Sequence, residues 1–153
     1  MQKTRGAIFR PSRRQVLVTG VIVASGVSAW GLWPASGYVG DTLTPVEAHQ
    51  EARGGRIVLV DIRRPDEWAQ TGTAKDAHRL DMRRADFLAE LDVLVEGDRS
   101  RPVALICARG VRSDRMSQRL TDAGFTNVID VPEGMLGSSA GPGWLSRDLP
   151  VVK

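Results

Sequence analysis

From residue 41 onward the sequence predicts an α/β domain with a mainly parallel central sheet flanked by helices. Two observations carry that expectation. Short, almost continuously apolar runs, Ile57-Val58-Leu59-Val60-Asp61-Ile62 and Pro102 to Ile106, suit strands covered on both faces, where neither side of the strand has to be polar. Segments with apolar residues at helical spacing lie between such runs, so strand and helix alternate, and right-handed crossovers would place ligands beyond the carboxyl ends of the strands.

Thr44-Pro45-Val46-Glu47 has capping-box spacing with proline at the first helical position, and Gly54-Gly55 marks where that helix should stop. Asp61 near the end of the first strand is the one polar residue in an apolar run. Pro65-Asp66-Glu67-Trp68 starts a short helix, and Ala85 to Val95 carries Phe87, Leu88, Leu91 and Leu94 at helical spacing. The strand at Pro102 to Ile106 is followed by a helix over Arg112 to Ala123, with Met116, Leu120 and Ala123 on one side and Gly124 as terminator. Another strand is expected at Asn127 to Asp130. The Gly- and Ser-rich tail after Val131 contains Trp144 and Leu145, which should fold back as a covering loop.

Charge separates the chain into two parts. Its 153 residues carry 21 basic and 18 acidic side chains, a net of +3, yet Lys3, Arg5, Arg10, Arg13 and Arg14 all precede residue 41 and no acidic residue does. The remainder holds 16 basic against 18 acidic residues, a balance of −2, which leaves no phosphate-neutralising surplus and argues against nucleic acid as partner of the folded part. The basic start precedes an uncharged, mostly apolar run over 16–33, the layout of a targeting leader. Ser12-Arg13-Arg14-Gln15-Val16-Leu17 resembles a bacterial twin-arginine export signal, and Val27-Ser28-Ala29 offers small residues for cleavage. Residues 1–29 are therefore expected to be an export signal or, if uncleaved, a membrane anchor, with 30–40 as linker and 41–153 as the folded domain. Either case places the domain in the periplasm, soluble or tethered to the inner membrane, with no membrane contact besides that segment.

Cys107 is the only cysteine, so no intrachain disulfide exists. His49 and His78 are separated by 28 intervening residues without a Cys/His cluster, and no metal or other cofactor is expected. His78 reads as a surface residue. A lone cysteine after an apolar strand is ordinarily a small buried hydrophobe. The stretch after this one, Ala108-Arg109-Gly110-Val111-Arg112-Ser113, is a poor way to finish a core strand and a good way to build an anion cradle. Backbone N–H groups and a helix N-terminus can converge around the thiol in such a loop, Gly110 permits an unusual backbone conformation, and Arg109 and Arg112 add positive charge.

The strand ending Asp61-Ile62-Arg63, then Pro65-Asp66-Glu67-Trp68, then Cys-x-x-Gly-x-Arg-Ser after a second strand, resembles a single-domain rhodanese over about positions 41–153. Gly72-Thr73-Ala74-Lys75-Asp76-Ala77 departs from that family's commoner Gly-His-Ile-x-Gly-Ala. The resemblance implies a three-layer rhodanese-like fold and a sulfurtransferase. Cys107 would be the nucleophile, carrying sulfane sulfur as a persulfide from a small sulfur-containing anion to a thiol, cyanide or a protein, and residues 108–113 would bind the substrate. A rhodanese-like module that binds, delivers or senses sulfur without turnover would have the same motif. Asp61 either orients the loop from behind or satisfies local backbone donors, whereas Arg63 and Arg64 read as solvated charges. A cysteine phosphatase fits less well: the family arginine stands six positions after the cysteine, Arg112 stands five after, and Ile106 replaces the usual histidine.

Overall fold

The computed structural model describes residues 37–153; the leader expected over 1–29 and residues 30–36 of the linker lie outside the described residues. The elements in chain order are β1 (Asp41–Thr42), α1 (Pro45–Arg53), β2 (Val58–Asp61), α2 (Pro65–Thr71), β3 (Thr73–Ala74), β4 (His78–Arg79), α3 (Phe87–Leu94), β5 (Val103–Ile106), α4 (Val111–Asp122), β6 (Val128–Asp130), α5 (Gly143–Ser146) and β7 (Val151–Val152). Five strands form one sheet in the order β1-β6-β5-β2-β4, every neighbouring pair parallel, while β3 and β7 make a small antiparallel pair.

The apolar runs become the central strands because both of their faces are covered. Val58, Val60, Val103 and Leu105 pack with Phe87 and Leu91 of α3 and Met116 and Leu120 of α4. The intervening Leu59, Ala104 and Ile106 pack on the other face with Ala48 of α1 and Trp144 of α5. Period-2 alternation thus feeds two cores from the same strands, which is the three-layer α/β fold the sequence predicts.

Local signals translate closely. Thr44 and Glu47 form the reciprocal capping box at α1, Pro45 occupies its first turn, and the helix ends at Gly54. In α3, Phe87 and Leu91 are buried but Leu88 is exposed, so the inward stripe is narrower than the sequence pattern implies. The tail does cover the sheet, though as the short helix α5 rather than a loop; Trp144 is completely buried, edge-on to His49 at 5.6 Å. The segment that departs from the family pattern, between Gly72 and Met82, supplies β3 and the edge strand β4, which runs beside β2 with Val60 opposite His78 and Asp61 opposite Arg79. His78 is exposed, as expected.

Arg63 corrects the sequence reading. It is 1% exposed rather than solvated, and its guanidinium lies on the carboxylate of Asp61 at 2.7 Å. The remaining donors reach the Thr71 hydroxyl at 2.8 Å and the Gly72 carbonyl at 2.6 Å, so the planar fork ties the end of β2 to the end of α2. Arg64, with a side chain 46% exposed, conforms to expectation. Arg63→Ala is expected to lower the unfolding free energy by about 3–5 kcal/mol, because it strands a buried carboxylate. Arg64→Ala, which removes only surface pairs, should cost about 0–1 kcal/mol. Urea denaturation of the two variants checks the contrast, and equal small losses would show that Asp61 finds another partner.

Candidate active site

Cys107 directly follows β5 and is 1% exposed, its sulfur 3.5 Å from the Ser113 hydroxyl in the first turn of α4. Residues 107–113 therefore turn around the thiol before the chain enters the helix. The Ser113 hydroxyl donates back to the Gly110 carbonyl at 2.9 Å, which closes the turn from within.

The turn is held from outside by the chain after β6. Met135 N–H donates to the Cys107 carbonyl and Leu136 N–H to the Ala108 carbonyl, each at 2.8 Å. Gly110 has φ +82°, and a Cβ there would overlap the Pro132 carbonyl. Gly134, with φ +66°, lets its backbone approach so closely that an added Cβ would lie 2.6 Å from the Ala108 carbonyl oxygen. Two glycines thus allow two backbone segments to interlock, as the sequence expectation for Gly110 requires.

In a trans peptide the N–H points opposite to the preceding carbonyl. Turning the carbonyls of Cys107, Ala108 and Gly110 toward their partners aims the N–H groups of Ala108, Arg109 and Val111 to the other side. Among the described residues, none of the N–H groups of Ala108 through Ser113 donates to a protein acceptor. The helix-start donors of α4 belong to this set, so the local potential is positive. Such an arrangement binds an anion or stabilises one as it forms.

The side chains of the loop divide by partner. Arg109 is exposed, its closest polar contact being the Gly137 carbonyl at 3.4 Å. Val111 is 58% exposed at the rim. Arg112 instead makes a bidentate pair with Glu67 of α2, at 2.8 and 2.6 Å, which clamps α2 to the start of α4. The guanidinium beside it, with help from the Arg64 backbone N–H and against partial burial, holds the Glu67 carboxyl down at about 2. Arg112 is raised in turn, first by Glu67 and also by the nearness of Cys107.

Asp61 reaches none of residues 107–113 with a hydrogen bond. Its carboxylate accepts from the Arg63 backbone N–H at 3.1 Å, from the Arg63 guanidinium and from the Thr73 hydroxyl at 2.9 Å. Of the two roles weighed for it, the satisfaction of local donors is the one visible in these bonds. The sequence places Glu67 in a motif without revealing its partner, because a contact spanning 45 residues leaves no local signal. Asp130 has no role in the sequence expectations. It ends an apolar strand just as Asp61 does and is 3% exposed; that interruption is the available clue.

The Glu67–Arg112 pair makes a pH-dependent contribution whose sign follows from the lowered carboxyl. Its stabilisation is complete above the ordinary carboxyl value of 4.5 and is lost as the pH falls through about 2. The difference in urea midpoint between the native chain and Glu67→Gln should therefore be largest above about pH 4.5 and shrink toward pH 2. A gap constant over that range would mean that the pair does not titrate.

The model of the rhodanese-like domain family matches residues 44–140. Among curated proteins, the chain is 34% identical over 133 residues to the tRNA uridine(34) hydroxylase of Pseudarthrobacter chlorophenolicus, covering 81% of this chain and 44% of that protein. It is 29% identical over 90 residues to the thiosulfate sulfurtransferase GlpE of Pseudomonas syringae pv. syringae, covering 59% of this chain and 79% of that one. The chain thus spans less than half the length of the tRNA hydroxylase. Among solved structures, the polysulfide-sulfur transferase homodimer from Wolinella succinogenes superposes with a TM-score of 0.58 at 24% identity, covering 73% of this chain and 77% of the other. Rv0390 from M. tuberculosis superposes with a TM-score of 0.56 at 28% identity, covering 74% and 96%. With its three-layer parallel sheet and its cysteine loop after β5, the chain belongs to the rhodanese-like domain family.

Proposed function

We propose that this domain is a sulfurtransferase that moves sulfane sulfur from a thiosulfate-like or persulfide donor to a thiophilic acceptor through a persulfide on Cys107. The observation that carries the reading is the turn around the Cys107 sulfur, whose N–H groups from Ala108 to Ser113 have no protein acceptor among the described residues. In the first half-reaction the Cys107 thiolate attacks the outer sulfur of the donor. A new S–S bond forms, the donor's own S–S bond breaks, and a sulfite-like anion leaves with the electron pair. The N–H groups then stabilise the negative terminal sulfur, so one cysteine suffices and no resolving cysteine is needed. An acceptor nucleophile removes that sulfur in the second half-reaction and returns Cys107 as thiolate.

Similarity to a thiosulfate sulfurtransferase supports this reading. Hydroxylation of tRNA is the named activity of proteins more than twice as long as the matched part of this chain, and residues 41–153 carry a net charge of −2, a poor basis for binding a polyanion.

Thiosulfate:cyanide turnover and intact mass after thiosulfate treatment test the mechanism. Turnover together with a gain of one sulfur atom, about 32 Da, should both vanish in Cys107→Ser, with activity falling by at least about 10³-fold. A sulfur adduct without turnover would favour the delivery or sensing module. Absence of both turnover and adduct would overturn the reading.

We further place the domain in the periplasm on the strength of Arg13-Arg14 and the apolar run over 16–33. Fractionation of the source cell should find the domain outside the cytoplasm, and Arg13→Lys with Arg14→Lys should hold it inside. Export undiminished by the double substitution would exclude the twin-arginine route, and a wholly cytoplasmic native chain would exclude export.

A further inference from the structure

A cavity of about 300 Å³ lies beside the cysteine loop, between the start of α4, the end of β6 and the segment Ser138 to Ala140. Arg109, Gly110, Asp114, Arg115, Asp130 and Ser138 line it. Its volume is at the small end of small-molecule sites.

The wall is preformed. The Ser138 hydroxyl donates to the Pro132 carbonyl at 2.7 Å, and the Ser138 N–H donates to the Gly141 carbonyl at 2.9 Å. Buried Glu133 accepts from the Gly143 N–H at 2.9 Å and pairs with Arg147 at 2.7 Å, which pins the far end of the segment. The charges facing the cavity are less satisfied than its wall. Asp130 is 3% exposed, and its Oδ1 has no hydrogen-bond partner among the described residues. Arg109 and Arg115 form no ion pair among the described residues, as is also true of Arg53, Arg79 and Arg119 elsewhere, so both guanidinium groups at the cavity are available to a ligand. Asp114 spends Oδ1 on the Tyr38 N–H at 2.7 Å.

We propose that this cavity binds the amino-acid end of a small thiol acceptor, with Asp130 and Asp114 receiving its ammonium group and Arg109 and Arg115 its carboxylate. Two carboxylates and two guanidinium groups around one small cavity match a zwitterion in sign at both ends, and a buried carboxylate lacking a partner gains most from a cationic ligand. Arg109 and Gly110 belong to the sulfur loop as well as to the cavity, which sets a ligand held there beside the loop; that its thiol reaches the Cys107 sulfur is part of the proposal. The inference deepens the sulfurtransferase reading and rests on it. The transfer balances without a further reactant: the acceptor thiolate attacks the outer sulfur of the Cys107 persulfide, the bond from that sulfur to Cys107 Sγ breaks, and Cys107 leaves as thiolate. The thiol's proton passes to solvent.

The environment of Asp130 gives the site a pH signature. Burial first, with the charge of Asp114 adding to it, pushes its carboxyl up to about 6. Arg109 and Arg115 across the cavity, Tyr38 on the preceding segment and Asp41 on the adjoining strand are the other titratable or charged groups near it. Recognition of an ammonium group should therefore strengthen as the pH rises through about 6.

The test has two independent arms on the full chain. In the first, persulfide-loaded protein transfers sulfur to cysteine, cysteamine, 3-mercaptopropionate and 2-mercaptoethanol, compared per thiolate. The expected kcat/KM for cysteine exceeds that for 2-mercaptoethanol by about 10-fold or more, and Asp130→Asn reduces the preference for cysteine and cysteamine relative to 3-mercaptopropionate by about 10-fold. In the native chain, the preference for cysteamine over 3-mercaptopropionate rises through pH 6. Equal rates with all four thiols, or a ratio flat with pH, overturn the proposal even if Asp130→Asn does not fold. In the second arm, binding of serine, which has the same amino-acid end and no thiol, is measured by calorimetry. Serine binding in a protein that forms no persulfide would defeat the sulfurtransferase reading alone. Persulfide turnover with no serine binding would defeat this site alone.

Discussion

Everything about the cysteine loop depends on where its carbonyl groups go. The Cys107 and Ala108 carbonyls are taken by the backbone of Met135 and Leu136, and the Gly110 carbonyl by Ser113 and Asp114. Because a peptide unit is rigid and its two polar groups are opposed, satisfying the acceptors on one side displays donors on the other. The electrostatic character of the loop is thus produced by backbone packing, with arginine in a supporting position. Gly110 and Gly134 are the residues that make the packing sterically possible, each at positive φ and each against a carbonyl of the opposing segment. A side chain at either position would move the carbonyls and, with them, the donors.

Two carboxylate–arginine pairs hold the elements that surround this loop, and they differ in kind. Asp61–Arg63 is buried completely, with side chains 0% and 1% exposed, so its attraction is largely consumed by desolvation; what it supplies is geometry, fixing the end of β2 against Gly72 and Thr73. Glu67–Arg112 lies at a half-exposed rim and joins α2 to the first turn of α4. A pair at such a rim keeps part of its Coulombic gain, and it also commits the guanidinium that the sequence suggested would meet the substrate. With Arg112 engaged by Glu67 and Arg109 directed to the surface, the N–H groups are the donors around the sulfur left without protein acceptors among the described residues.

Legibility in the sequence tracked the range of the interactions. The capping box at Thr44, the strand cores, the helix after Gly110 and the placement of Cys107 at a strand end all arise from contacts within a few residues, or from a periodicity that only one layered architecture satisfies. Pairings across long separations left no comparable trace. Arg63 and Arg64 are adjacent and chemically identical, yet one is enclosed by Thr71 and Gly72 and the other faces solvent. The partner of Arg112 lies 45 residues away, and the tail forms a helix over the sheet because Trp144 meets His49 and the α1 face. Residue type gave no warning of any of these, since burial of a charged group is decided by what the tertiary fold brings to it.

Asp61 and Asp130 occupy equivalent places in the fold but differ in how their oxygens are satisfied. Both are aspartates at the carboxyl ends of parallel strands, both interrupt apolar runs, and both are nearly inaccessible. The oxygens of Asp61 are engaged within the fold: they receive the guanidinium, a hydroxyl and a backbone N–H. Asp130 sits one strand beyond the cysteine, and among the described residues its Oδ1 has no hydrogen-bond partner and the two arginines of the adjoining cavity form no ion pair. A carboxylate kept buried without a full set of partners is a standing cost to stability, and folds retain such costs where something outside the chain completes the site. The end of β6 leads straight into the segment that holds the Cys107 and Ala108 carbonyls, so Asp130 and the cysteine loop are joined through one stretch of backbone.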